Sequence, residues 1–570
     1  MNLYEALIDV YEKCNSDPDM IPLYHSTAIA QITVKLDCSG NFISAEVLEK
    51  EDGKTVIPVT EKSSARTTNA APHMLYDSLK FLAGDYFEYT DITYTKGYLE
   101  QLEDWIKAEK KCPGCRHAAI HAIYDYVNKK QLIRDLVEAK VLILNEKGKL
   151  DHKRKIQGRG QEKAFVRFQV GDCECWTDKE LQEAYIAYCR YIKVNNGFSY
   201  MTGAEDQITY LHPRKIRTDA DQGKLLSGND SSGFTFRGLF RTQEEAYAVG
   251  YEDSQKAHNA LKWLIRKFGY HFGDLCIVVW EKDINDLPDW SENCDLKNGV
   301  WNGMNCSLDS TTYFLALDSA VPGRLSIQEF SYTETSNYIK HIIDWHKTYQ
   351  WECYGTEENL KSDVKRAAAL LYGNDNGKYL SMTGKEDQYK YFVKRWIKCI
   401  LYGKPLPKDI IYLAIKRASS PVMFSNYWTW REVVAFANVL VNQDRGNMER
   451  DRSYLYGRIL AVMDHEEAFA LYIRNIKRDT NARKYMKVYA QYPFRTYKIL
   501  EQKIAPYLKY LPSGRRNIYE RELQSILNQF STEMIDNDES LNGKYLIGYH
   551  QEMKLLDKKF SQKKEEKKNE

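Results

Sequence analysis

The chain has 570 residues, 43% of them hydrophobic and 28% charged, with 42 tyrosines and a formal net charge of +2. That length exceeds what one hydrophobic core usually supports, so two or three domains are expected, and the composition excludes a mainly disordered polymer. No stretch approaches a membrane-spanning length and the start lacks a leader pattern, so a cytoplasmic protein with no membrane partner and with thiol rather than disulfide cysteines is expected.

The charge is uneven. Residues 448–570 hold 24 Lys+Arg against 18 Asp+Glu, which leaves the preceding 447 residues slightly acidic, and no cysteine follows Cys399. Both breaks mark a C-terminal module with a basic excess, the property a phosphate-binding surface needs and one that many solvated helices share.

In chain order, Leu3, Leu7 and Val10 space an amphipathic helix. Residues 28–36 alternate apolar and polar as one strand, and a turn at Ser39-Gly40-Asn41 returns residues 42–48 as its hairpin partner. Residues 98–139 carry a helical rhythm, 165–168 a strand, and Asp178 opens a helix ending near Asn196-Gly197. A glycine-punctuated hairpin is expected near Gly233, then a helix from Ser254, as cap, to Gly269. Strands at 275–280 and 313–317 and a helix at 338–349 complete an α+β body over 1–350. A helical connector, 351–447, and an all-α bundle, 448–570, follow, with a charged tail at 558–570 expected to fray. Met201-Thr202-Gly203-Ala204-Glu205-Asp206-Gln207 returns once as Met382-Thr383-Gly384-Lys385-Glu386-Asp387-Gln388 without a repeating flank, so it implies no solenoid.

Catalytic and metal signatures are weak. Cys112-Pro113-Gly114-Cys115-Arg116-His117 with His121 has four metal-ligand side chains, but a zinc site usually sets its second ligand pair beyond a longer loop, so no metal is expected. Asp289, Asp295 and Lys297 resemble a nuclease triplet whose carboxylates are too close in sequence to converge from separate strands. ATPase, zinc-protease and α/β-hydrolase motifs are absent. The expectation is a non-enzymatic chain without cofactor, the competing readings being a metal-dependent nuclease and a purely structural subunit.

Four ordered stretches carry a family resemblance. They are Ile57-Pro58-Val59-Thr60-Glu61-Lys62 with Arg66-Thr67-Thr68-Asn69-Ala70-Ala71-Pro72; residues 224–238, from Lys224-Leu225-Leu226-Ser227-Gly228-Asn229 to Phe236-Arg237-Gly238, joined to Gly250-Tyr251-Glu252-Asp253-Ser254-Gln255-Lys256 and on to Ile265; Pro322-Gly323-Arg324-Leu325-Ser326-Ile327 with Trp345-His346; and Tyr454-Leu455-Tyr456-Gly457-Arg458 with Gly548-Tyr549-His550-Gln551. The chain resembles the large subunit of the type I-C CRISPR surveillance complex, Cascade, and departs from it at Leu239 and Glu281-Lys282. The resemblance implies antiviral defence, with crRNA, target double-stranded DNA, the backbone and crRNA-5′-handle-binding subunits, a small subunit and a helicase-nuclease as partners. It also implies recognition of the protospacer-adjacent motif (PAM), promotion of the R-loop, and a small subunit made from an internal start, at Met448 or the competing Met423.

On that resemblance, the candidates for the PAM or its flanking duplex are Asn69, Lys62, Arg66, Lys224, Asn229, Arg237, Gln255 and Lys256. An amide such as that of Asn69 can pair with an adenine edge, and the same residue also simply forms turns. Lys224 to Arg237 brings glycines and cations to phosphates, as an ordinary hairpin turn would too. For a displaced strand or the guide–target heteroduplex the candidates are Arg450, Arg452, Arg474, Lys477, Arg478, Arg483, Lys484 and Lys487, with Tyr485 and Tyr489 available for stacking, against the plainer reading of solvated helix faces.

Overall fold

Gln31 decides how the first strands run. In the computed structural model, residues 28–36 do not form one strand: His25–Ile29 pairs antiparallel with Lys54–Pro58, while Ile32–Leu36 enters a different sheet. At the corner the Gln31 side chain donates to the Ile29 carbonyl at 2.8 Å and accepts from the Phe165 amide at 2.8 Å. The side chain completes the hydrogen bonding that a continuous ladder would have supplied, so alternation survives the break. The structure describes all residues except 1, 65, 67–70, 93–96, 219–220, 222, 227–239, 288–289, 291–306, 322–323, 353–359, 443–449 and 570.

The chain divides into two compact units, Met1–Ile284 with Thr311–Tyr332, and Asn285–Ser310 with Thr333–Glu570. In the first, the N-terminal helix Leu3–Cys14 opens with a reciprocal capping box between Asn2 and Glu5 and buries Leu3, Leu7 and Val10. Such a box satisfies two orphan amides at once. The helix packs on Tyr251–Phe268, which is buried on nearly every side. A four-stranded sheet runs Phe42–Val47, Ile32–Leu36, Phe165–Val170, Asp77–Ser78, with the two central strands parallel, Val34 opposite Phe168. The long helical rhythm resolves into Tyr98–Ala108, Ala118–Asn128 and Leu132–Glu138, broken where Pro113 and Gly114 shape a single 3-10 turn. A second sheet, Gly269–Phe272, Leu275–Glu281, Thr311–Val321, Arg324–Glu334, has the wholly buried Leu275–Glu281 as an inner strand.

One expectation is corrected here. The helix placed from Ser254 begins at Tyr251, directly after the short strand Val249–Gly250, so Ser254 lies inside it. Its hydroxyl faces His212 Nδ1 at 2.9 Å instead of capping. The charged end of the chain is drawn as the last part of helix Lys544–Asn569.

The second unit is mainly helical, which with the two sheets makes the chain α+β, as expected. Trp345, Trp396 and Phe392 pack in tilted and edge arrangements with rings 4.7 to 5.0 Å apart, and Trp351 meets Phe436 at 4.8 Å. Helix Arg452–Ile473 crosses Lys544–Asn569 with backbone against backbone: a Cβ at Gly457 would collide with the Tyr545 carbonyl oxygen, and one at Gly548 with that of Tyr454. Beside that crossing, fully buried Asp464 accepts from Thr480, Tyr549 and, at 3.1 Å, Arg483 Nε. Tyr427 and Trp430, from helix Tyr427–Val441, cover this cluster, the first ring 4.0 Å from the Arg483 guanidinium and the second 5.7 Å from Tyr549.

The twice-used Met-Thr-Gly segment makes a turn in both places, with Gly203 at φ 71° and Gly384 at φ 74°. One copy turns between strands Gly197–Phe198 and Glu205–Asp206, the other leads into helix Glu386–Leu401. Only glycine takes that backbone without strain, which is the physical content of the echo. Among the described residues no helix is long and apolar enough to cross a membrane, and the described cysteines are free thiols.

Candidate functional site

In the first unit, a cavity of about 370 Å³ opens between the strand pair His25–Ile29/Lys54–Pro58, the short helix Glu61–Ser64 and the flank of Tyr251–Phe268. Arg66, Arg159, Arg214, Lys215 and Lys262 line it, with the hydroxyls of Ser26, Thr27, Ser63 and Ser64, and among the described residues no carboxylate lines it. Cations gathered on a concave surface focus their field on an anion.

Several of these groups are fixed by local chemistry. Arg66 grips fully buried Asp77 through two bonds of 2.7 Å, donates to the Ala71 carbonyl at 2.8 Å, and lies over Phe81. Asp77 also accepts from the His73 amide at 2.8 Å, so this bidentate pair anchors both ends of the segment from Arg66 to Asp77. Arg159 stands on the small hairpin of Lys155–Ile156 and Arg159–Gly160, exposed and with no ion pair among the described residues. Gln255 is buried with its Oε1 unpartnered, and His73 Nδ1 is likewise unpartnered. Burial pushes both lining histidines, His25 and His73, down to about 4, so they are neutral near pH 7 and the positive charge belongs to the arginines and lysines. The assembly offers cations and hydroxyl donors to a phosphate diester, a holding chemistry.

Of the residues singled out from the sequence, Arg66 and Gln255 line this cavity. Lys62 is exposed on the adjoining helix Glu61–Ser64. Lys224 is half-buried, and burial followed by the charge of Arg214 lowers its pKa. Lys256 points elsewhere, pairing with Glu12 at 2.5 Å. Asn69, Asn229 and Arg237 lie outside the described residues, as do Asp289, Asp295, Lys297 and Met448. Gln255, Asn259 and Lys262 are all buried, because Tyr251–Phe268 is covered on more than one side. Asn259, for example, donates to the Ile21 carbonyl at 3.1 Å.

The C-terminal candidates divide in two. Arg452 donates to the carbonyls of Asn537 at 2.6 Å and Glu539 at 2.9 Å, Arg478 pairs with buried Glu467 at 2.8 Å, and Arg483 holds Asp464. Arg474 lies over Tyr510 at 4.2 Å. Arg450, Lys477, Lys484 and Lys487 are exposed with no ion pair among the described residues. Tyr489 is buried and donates to the Tyr456 carbonyl at 2.8 Å, so it packs and has no face to stack. Met423 is exposed.

The compact Cys-His motif does not converge. Cys115 Sγ turns to the Cys112 carbonyl at 2.9 Å and His121 pairs with Glu109 at 2.9 Å. His117 instead meets Cys173 and Asp178, one ligand atom of each lying within 4.8 Å of the others. Their atoms are engaged locally: Asp178 caps the Leu181 amide at 2.7 Å, Cys173 Sγ sits 3.3 Å from the other Asp178 oxygen, and His117 Nδ1 accepts from the Ala119 amide.

Most of the cavity wall escaped the sequence reading. Arg159, Arg214, Lys215 and Lys262 stand on segments far apart in the chain, and only the basic run Pro213-Arg214-Lys215 offered a local signal. Over residues 7–556 the chain matches a family model described as CRISPR-associated protein (Cas_Csd1). No curated protein matches it.

Proposed function

The chain belongs to the CRISPR-associated Cas_Csd1 family, and from that premise we propose that it is the non-catalytic large subunit of a type I-C surveillance complex, gripping target duplex beside the PAM. The observation that carries this is the basic cavity lined by Arg66, Arg159, Arg214, Lys215 and Lys262, with no carboxylate among its described lining residues. Guide pairing supplies sequence recognition in such systems, so the protein's share is to hold backbone and read a short motif. The cavity holds a phosphate of the duplex. Asn69, three residues after Arg66 in the chain, is the proposed reader of the bases. The exposed lysines Lys477, Lys484 and Lys487 with Arg450 track the displaced strand or heteroduplex along the C-terminal bundle. The partners are crRNA, the backbone and 5′-handle-binding subunits, a small subunit from an internal start, and a helicase-nuclease recruited once the R-loop forms.

The test is salt-dependent binding of PAM-containing duplex by the assembled complex carrying Arg159→Ala with Lys215→Ala. Each phosphate left without its cation flattens the slope of log K against log salt by about 0.9. An unchanged slope and affinity would remove the cavity from the DNA path. Asn69→Ala separately tests base reading, with an expected loss of about 1–3 kcal/mol of PAM discrimination.

A further inference from the structure

The turn after strand Phe165–Val170 and the start of helix Ala118–Asn128 bring together a histidine, two cysteines and an aspartate. The turn is tight: the Cys173 amide donates to the Val170 carbonyl at 3.0 Å, and Gly171 takes φ 55°. Cys173 and Cys175 follow it, and Asp178 is the N-cap of helix Lys179–Ile192. His117 arrives as the N-cap of helix Ala118–Asn128. One ligand atom each from His117, Cys173 and Asp178 lie within 4.8 Å of one another, the one such group among the described residues. His117 Nε2 is 3.6 Å from Asp178 Oδ1, and Cys173 Sγ is 3.3 Å from Asp178 Oδ2 and 3.9 Å from Cys175 Sγ. Around a zinc ion with bonds of about 2.0–2.3 Å, neighbouring corners of the tetrahedron lie about 3.3–3.8 Å apart, so these spacings suit a ligand shell. No lysine or arginine competes for the carboxylate: among the described residues the ion-pair partner of Asp178 is His117 alone. The Leu181 amide holds Oδ1 at 2.7 Å and leaves Oδ2 turned to the cysteine. An ion can reach the group, since the side chains of His117 and Asp178 keep 16% and 28% of their exposure.

We propose that His117, Cys173, Cys175 and Asp178 bind one structural zinc ion. Two thiolates with an imidazole select zinc over magnesium or calcium, which take oxygen ligands. Four protein ligands leave no open position, so the ion is a staple and not a catalyst. Binding releases the two thiol protons to solvent and moves the His117 proton from Nε2 to Nδ1, so Nδ1 gives up its 3.3 Å contact with the Ala119 amide. Cys175 Sγ likewise turns from the Cys173 carbonyl, 3.6 Å away. The ion then ties the starts of helices Ala118–Asn128 and Lys179–Ile192 to the turn that leaves the sheet. His117 belongs to the compact Cys-His motif of the sequence, but its partners come from this later turn. The inference stands apart from the nucleic-acid reading.

The untagged full chain, reduced and stripped of metal with a chelator, is titrated with cobalt(II) and then with zinc(II). About one equivalent of cobalt binds, giving the visible bands of a tetrahedral ion and a thiolate-to-cobalt charge-transfer band, and zinc bleaches both. Cys173→Ser combined with Cys175→Ser removes both signals. Zinc raises the unfolding midpoint of the stripped chain and leaves that of the double variant where it is. Asp178→Asn, which can still cap helix Lys179–Ile192, weakens zinc binding by about tenfold or more, a readout that holds should the double variant not fold. No cobalt spectrum in the unaltered chain, a spectrum without the charge-transfer band, a spectrum kept by the double variant, or unchanged affinity in Asp178→Asn would overturn the proposal.

Discussion

His25, His73 and His258 each sit in the folded first unit with a pKa brought down to about 4, in every case chiefly by burial. In the unfolded chain a histidine titrates near 6.5. Between these values the unfolded state binds protons that the folded state refuses, so stability falls as the pH drops from about 6.5 towards 4. Each histidine contributes at most about 1.4 kcal/mol per pH unit across that window. Thermal unfolding followed from pH 7 to 4.5 should show a steadily falling midpoint, and a flat profile would contradict neutral burial. Arg483 makes a second test. With its guanidinium removed, the buried Asp464 carboxyl is left, among the described residues, with Thr480 and Tyr549 as donors. Arg483→Ala should therefore destabilise the bundle by about 3–5 kcal/mol, whereas Lys484→Ala on the exposed face should change stability by less than about 0.5 kcal/mol. Denaturant titration of both variants separates a packing arginine from the surface lysine beside it, two cations that look alike in the sequence.

At the scale of elements, the sequence was most legible where a single period ruled a segment. The N-terminal helix, the hairpin to Phe42–Val47, the helix opened by Asp178 and the strands around Leu275 and Tyr313 all stand where their patterns put them. Legibility failed where a side chain stood in for backbone, as Gln31 does at the corner between two sheets, because alternation carries no sign of such a substitution. It failed again at Ser254, where a good capping residue lies one turn inside a helix that strand pairing had already begun. The basic cavity was half-legible: Arg66 and Gln255 were singled out, but its other cations converge only through tertiary structure. The Gly457/Gly548 crossing gives a prediction at this scale. Each glycine allows a carbonyl of the facing helix to occupy the place of a side chain. Gly457→Ala or Gly548→Ala should cost at least about 1–3 kcal/mol, as overpacking generally does. Either should lower the melting temperature, while the surface variant Lys487→Ala leaves it unchanged.

For the whole molecule, the internal start can be argued from packing. A product beginning at residue 448 keeps Asp464, Arg483 and Tyr549 but loses helix Tyr427–Val441, whose Tyr427 and Trp430 cover them. One beginning at Met423 keeps that cover. Mass spectrometry of the expressed complex reports which product accompanies the full chain, and the absence of both would exclude an internally started small subunit here. If the shorter one is found, the cluster should be covered by another subunit, and the isolated shorter product should unfold at a lower temperature than the longer.

The close approach of Gly457 and Gly548 to the facing backbones has a further consequence. It joins the first helix of the region after residue 448 to the last helix of the chain, so both halves of the clasp are made from the same downstream stretch of message. If an internal start at either position is used, its product carries both helices of the clasp.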